Sequence, residues 1–213
     1  MGAILSALAG GILQTVEITA ASFVVGAVLG LLLATLRRTR SRIARLPAVA
    51  VVEVMRAVPP IVWLFIIFYG IGSGAVKLSS FVAAVIGLGL ISAAHLSEIY
   101  RAGLNAVPPG QWDAARAVAL PGPAAYRHVV IPQALVIVVP PMATYAIGLL
   151  KDSAMASVIG AHEITFQAVE QTQQTANGLG NFAVAGLIYI LLSVPIATLA
   201  RWTDRQLTQR IAT

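Results

Sequence analysis

Charged side chains are few in this chain, and several stand at spacings that let them act together. Glu53 and Arg56 lie three residues apart, as do Glu98 and Arg101, so each pair shares one face of a helix. Opposite charges inside an apolar run are costly enough to be read first as a functional feature. A gate element and a plain structural ion pair both fit Glu53 and Arg56. Pro59 and Pro60 follow directly, and proline removes backbone hydrogen bonds, so the run is expected to kink there. His95 stands one turn before Glu98, where a histidine is either a proton-sensitive group or a hydrogen-bonded interior residue. A third cluster, Lys151-Asp152-Ser153-Ala154-Met155-Ala156-Ser157, combines both charge signs with hydroxyls, with Glu17, His162 and Glu163 as further polar groups. It suits either a binding site or a solvated polar turn.

Other chemistries lack their residues. There is no cysteine, no H-E-x-x-H and no G-x-S-x-G, and the histidines lie far from any plausible activated serine. No phosphate-cradling G-x-x-x-x-G-K-[ST] loop occurs either: Lys77 lies in SGAVKLS and Lys151 in LLKDS. No catalytic residue, metal site or cofactor is expected, and any ATP hydrolysis coupled to this chain belongs to another one.

The elements that hold these residues are helices in lipid. Of 213 residues, 58% are hydrophobic and 10% charged, where a soluble domain has about a quarter charged. A helical span needs about 20 largely apolar residues. Five runs qualify, at residues 11–36, 49–71, 81–103, 129–150 and 182–200, within one domain covering the whole chain. Their many Gly and Ala residues suit close helix packing in a membrane. The expected fold is therefore an all-α integral membrane protein with five transmembrane helices. Met1 to Gly11 has no basic start, and the apolar run continues beyond it, so a cleavable leader is not expected. Net charge is +6, yet the arginines bracket apolar runs instead of forming a wet basic face, so nucleic acid is not expected as a partner.

Orientation follows from the basic residues. Arg37, Arg38, Arg40, Arg42, Arg45, Arg101, Arg116, Arg127, Arg201, Arg205 and Arg210 fall on one side, against Lys77 and Lys151 on the other. The asymmetry places the N-terminus outside and the C-terminus in the cytoplasm. Residues 107–122, VPPGQWDAARAVALPG, then lie on the cytoplasmic side. Pro108 and Pro109 end the third span, Gly110 gives a turn, and a short helix over 109–120 is closed by Pro121-Gly122-Pro123. Asp113 is placed near the N-terminus of that helix, where the macrodipole favours an anion. Its small residues would let another protein approach closely, although a mere connecting loop also fits.

Here the chain resembles the membrane subunits (permeases) of ATP-binding-cassette importers, in the polar amino acid branch. Their cytoplasmic signature is Glu-Ala-Ala, three residues, Gly, nine residues, Ile, one residue, Leu-Pro. This chain has Asp113-Ala114-Ala115, then Arg116 to Val118, Ala119, Leu120 to His128, Val129, Val130 and Ile131-Pro132. VEVMRAVPPIVWLFIIFYG (52 to 70), EIYRAGLNAVPPGQWDAARA (98 to 117), VVIPQAL (129 to 135) and LLKDSAMASVIGAHEIT (149 to 165) extend the resemblance, which runs from about Gly11 to Leu207.

The resemblance implies a five-span permease that works as a pair, with itself or a related permease. Two ATPase subunits would dock beneath it, and an extracellular or periplasmic solute-binding protein would deliver the solute. Gly110, Gln111, Asp113, Ala114, Ala115, Arg116 and Ala119 would form the coupling helix seated in an ATPase cleft. Glu98 and Arg101 would orient it. Lys151 to Ser157 resembles the branch's Lys-Asp-Thr-Ser-Leu-x-Ser and would offer partners for the ammonium and carboxylate of a zwitterion. Asp152, Ser153 and Ser157, with Glu17, His95, His162 and Glu163, are the candidate substrate residues. The implied function is ATP-driven uptake of a polar amino acid by alternating access. A compatible solute (betaine- or ectoine-like) is the alternative cargo, and a passive channel or scaffold the alternative class. Three departures stand out. Asp113 replaces Glu, His95 replaces a usual Tyr, and Ala119 replaces Gly, where a left-handed turn would cost about 1 kcal/mol. The bend is therefore expected to move to Pro121-Gly122.

Overall fold

The computed structural model describes residues 2–72 and 77–212, and these contain helices and no strand. In chain order they are α1 (Gly2–Ala9), α2 (Ile12–Arg38), α3 (Arg42–Ala57), α4 (Pro60–Phe65), α5 (Ser80–Ala106), α6 (Pro109–Ala117), α7 (Gly122–Ala125), α8 (Ile131–Asp152), α9 (Ile164–Thr175) and α10 (Gly178–Ala212). A π-helical turn, Ile66–Ile71, extends α4, another, Tyr126–Val130, joins α7 to α8, and a 3-10 segment, Ser153–Ile159, follows α8. Four stretches are long and apolar enough to cross a membrane: Ile4–Arg38, Ser80–Ala106, Gly122–Ile159 and Gly178–Thr203. Arg42–Ala57 with Pro60–Ile71 meets the same length and composition only as a pair, bent by 106°, which is a broken fifth span or a re-entrant loop.

That bend is sharper than the kink the two prolines led us to expect, and it has a local cause. The residue before a proline is pushed out of helical geometry, and Val58 is extended at φ −97°, ψ 133°. Pro59 caps the next helix and Pro60 takes its first position, where a missing amide is harmless. The second run is therefore two helical pieces meeting at an angle.

Small residues bring α2 and α5 together along most of their length. Ser22, Gly26, Gly30 and Ala34 repeat every fourth residue on the buried face of α2, so they form one stripe. A Cβ added to Gly26 would overlap the Cβ of Ser92, and one on Gly30 would lie 2.9 Å from the Ala93 carbonyl. Without water between helices to drive association, backbone proximity and van der Waals contact carry it. Gly103 does the same for α8, since its added Cβ would meet Val138. The largest core cluster gathers Ile18, Leu64, Leu88, Leu149 and Ile159 around this junction, and a second joins Leu8, Ile164, Ala168 and Ile188.

Candidate functional site

The segment 107–122 holds a helix, α6, that is shorter than the expected 109–120. Helix α6 ends at Ala117, and only Ala115 on it is buried. Trp112 is half-buried, its ring against Tyr126 with centroids 4.8 Å apart, and it packs on Val107, Val130 and Ala134. Gln133 donates to Gln111 at 3.1 Å. These contacts fix α6 to the start of α8 and leave Gly110, Gln111, Asp113, Ala114, Arg116 and Ala117 exposed. A shallow cavity of about 340 Å³ opens beside it, lined by Trp112, Ala115, Arg116, Leu120, Gly122 and Ala125.

Two expectations for this helix need correction. Asp113 is the fifth residue of α6, with no acidic group in the first turn, so the macrodipole does not hold it. Instead it accepts from Arg116 at 2.6 Å, an exposed pair worth little to stability. The bend has also not moved to Pro121-Gly122: Ala119 itself adopts the left-handed conformation at φ 52°. The amides of Leu120 and Ala119 donate to the Ala115 and Arg116 carbonyls at 3.0 and 2.9 Å. That is the Schellman closure of a helix, and it holds the backbone whatever the side chain. Ala119→Gly is expected to raise stability by about 1 kcal/mol, read as a higher midpoint in thermal unfolding of the purified protein in detergent.

Inside the bundle, Glu98 is the hub. Its carboxylate pairs with Arg37 of α2, with Arg101 at 2.7 Å and with Arg56 of α3 at 3.8 Å. The Glu98–Arg101 pair thus forms at the expected spacing. Glu53 and Arg56 do not pair: Glu53 is exposed and has no ion pair among the described residues, and Arg56 reaches across to α5. Spacing made them neighbours on α3, but packing of α3 on α5 gives Arg56 a half-buried carboxylate instead. Arg37 had been read only as a basic flank. Its side chain is 9% exposed and also donates to Ser97 at 3.3 Å, a role no local pattern marks.

The remaining candidates divide into groups that converge and groups that do not. His95 stacks on Tyr145 with ring centroids 5.3 Å apart, and the Tyr145 hydroxyl donates to Ser92 at 2.9 Å. Asp152 lies further along α8, within electrostatic range of His95. Ser153 and Ser157 donate to the backbone carbonyls of Leu150 and Ala154, both at 2.7 Å, so their hydroxyls are engaged within their own segment. Glu17 is exposed on α2, and His162 is exposed and stacked on Phe166 at 4.4 Å.

Glu163 is fully buried and caps α9. Its carboxylate accepts from the amides of Thr165 at 2.9 Å and Phe166 at 2.7 Å, and from the Tyr189 hydroxyl. Burial pushes the carboxyl above its ordinary range, partly offset by these donors. Gly11 makes room for it: an added Cβ there would lie 2.5 Å from the Glu163 carbonyl carbon. Among the described residues, no three of His, Asp and Glu gather as a metal site.

Residues 26–209 match the family described as "Binding-protein-dependent transport system inner membrane component". A Sinorhizobium fredii protein named "Probable amino-acid ABC transporter permease protein" is 33% identical over 207 residues, covering 97% of this chain and 90% of that one. The L-cystine transport system permease protein of Bacillus subtilis is 32% identical over 206 residues, covering 96% and 88%. A crystal structure of an amino acid ABC transporter with histidines superposes with a TM-score of 0.89 at 30% identity, covering 94% of each chain.

Proposed function

This chain belongs to the family of binding-protein-dependent transport system inner membrane components, and from that premise we propose that it carries a polar amino acid inward on energy from a separate ATPase. It is a multi-pass inner-membrane transport subunit, not an enzyme. Two copies, or this chain and a related permease, form the pathway between them, and two ATPases bind beneath. A solute-binding protein delivers the cargo from outside. With the N-terminus outside and the C-terminus in the cytoplasm, α6 faces the ATPases, and ATP-driven closure of these opens the bundle outward. Hydrolysis returns it to the inward-facing state.

One observation carries this reading: α6 is a rigidly held helix whose outer face is almost wholly exposed. Trp112 anchors it to α8 through Tyr126 and Val130, so force applied to α6 passes directly to a spanning helix. The exposed small residues Gly110, Ala114 and Ala117 admit close approach, and the neighbouring cavity accepts a side chain of the partner. The amino acid cargo is supported by relatives named for amino-acid and L-cystine transport.

Asp113→Arg tests the interface. It breaks the pair with Arg116 and sets two cations three residues apart on the exposed face. Retention of a co-expressed ABC ATPase during purification from membranes is expected to fall by about tenfold or more, with the amount of permease in the membrane unchanged. Undiminished retention would remove α6 as the docking surface.

A further inference from the structure

Between Ile18 and Val52 the chain carries Arg37, Arg38, Arg40, Arg42 and Arg45 and no carboxylate. Arg37 is taken by Glu98. The other four are exposed and make no ion pair among the described residues. Arg38, in the last turn of α2, donates to the neutral side chain of Asn105 at 2.8 Å. Beside it a cavity of about 390 Å³ opens to the surface, lined by Thr35, Arg38, Thr39, Leu104 and Tyr126. The cavity thus lies between the end of α2, the end of α5 and the turn that leads into α8.

The polar groups of this lining are donors. The Arg38 guanidinium keeps N–H groups beyond the one given to Asn105. The Thr39 hydroxyl oxygen accepts from the Ser41 amide at 3.4 Å and still has its proton to give. Tyr126 is held edge-on against Trp112, and its hydroxyl makes no hydrogen bond among the described residues. A cation and two hydroxyls, with no acid in the lining, suit a phosphate oxygen.

The face of α2 that leads to the cavity suits lipid. Val24, Val28, Leu31 and Leu32 are each more than half exposed and stand with Thr35 on one side of the helix. That side is opposite the stripe of Ser22, Gly26, Gly30 and Ala34 that packs on α5. Val24 to Thr35 spans about 16 Å, close to half of a hydrocarbon core about 30 Å thick. Just beyond, exposed Ile43 and Leu46 stand beside Arg42 and Arg45, the pattern of a helix end lying in a membrane surface. Basic pockets between spanning helices at that depth hold phospholipid headgroups.

We propose that this cavity holds the phosphate of an anionic phospholipid, with one acyl chain laid along Val24 to Leu32 of α2. The inference concerns lipid and not cargo, so it stands or falls apart from the import of an amino acid. Arg38 supplies the charge, Thr39 and Tyr126 the hydrogen bonds, and Leu104 an apolar side to the glycerol. A zwitterionic lipid fits less well, because its own cation meets Arg38 with Arg40 and Arg42 close behind in the chain. Bound there, the lipid bridges α2, α5 and the turn into α8. Tyr126 also contacts Trp112, so an occupied site braces the joint on which α6 rests.

The test is native mass spectrometry of the full chain purified in detergent, titrated with phosphatidylglycerol or with phosphatidylcholine of the same acyl chains. A first phosphatidylglycerol is expected to bind well before any other, and about tenfold or more tighter than phosphatidylcholine. Arg38→Gln is expected to weaken that first binding by about tenfold or more, and Tyr126→Phe by about threefold. Arg205→Gln removes an exposed arginine outside the cavity and leaves the first binding at its wild-type strength, which separates a site from diffuse charge. Inorganic phosphate and soluble glycerophosphate, at the concentration of the lipid, do not displace it. Thermal unfolding of each lipid-free variant shows that it is folded. Should Arg38→Gln fail to fold, Tyr126→Phe and the comparison of the two lipids on the wild-type chain decide. Equal binding of the two lipids, an undiminished first binding in Arg38→Gln or an equal loss in Arg205→Gln would each overturn the site. Displacement by the soluble phosphates would replace it with a site for free anions and overturn the lipid assignment.

Discussion

Replacing Glu98 with alanine is expected to destabilise the protein by about 3 kcal/mol, in the lower part of the range for breaking a buried ion pair. The reason is what remains. Arg37 would keep its guanidinium in a site where its side chain is 9% exposed, facing Arg101 and Arg56 with no carboxylate between them. The lower value applies because Arg56 and Arg101 are 40% and 41% exposed and solvent screens them. Glu98 also ties three helices, α2, α3 and α5, so its loss frees the piece of chain before the bend. Thermal unfolding in detergent measures the drop. An Arg37→Met, Glu98→Leu double variant is expected to recover much of it, since apolar replacement removes the uncompensated charge.

Glu163→Ala carries the second large effect, about 2–4 kcal/mol from a lost helix cap and unsatisfied buried donors. Two amides at the start of α9 and the Tyr189 hydroxyl lose the carboxylate as acceptor, and the Thr165 hydroxyl, at 3.1 Å, and the Thr15 hydroxyl remain beside Tyr189. The effect depends on pH. Burial holds this carboxyl above its reference value of 4.5, so the folded state binds the proton more tightly than the unfolded state does. The stabilisation is full below that reference value and declines as pH rises through the raised one. The gap between wild type and Glu163→Ala is therefore widest in acid and narrows toward neutrality, as unfolding midpoints measured across that range would show.

The sequence made the spans legible because twenty-residue apolar runs leave little choice of structure in lipid. It also made α6 legible, since prolines and a spaced signature bracket it. The partner of Arg56 was hidden, because spacing identifies neighbours on one helix and cannot weigh them against a carboxylate on another. Glu163 was hidden for a related reason. Glutamate is not among the preferred cap residues, and its partner Tyr189 lies 26 residues away within an apolar run. At Ala119 the departure from glycine was seen, but its consequence was misjudged. Hydrogen bonds from Ala119 and Leu120 fix the turn more firmly than the methyl group opposes it. The same two hydroxyls that made Ser153 and Ser157 attractive as ligands bond their own backbone, as serine in a helix often does.

On the proposed function, this chain moves an amino acid inward only when an ATPase works beneath it. The most direct measurement is uptake of radiolabelled amino acids into proteoliposomes holding the permease with its ATPase and binding protein, with ATP enclosed or replaced by a non-hydrolysable analogue. Accumulation above the external concentration with ATP, and none with the analogue, is the predicted result. Equal, non-concentrative entry under both conditions would describe a passive channel and rule out ATP-driven import by this chain.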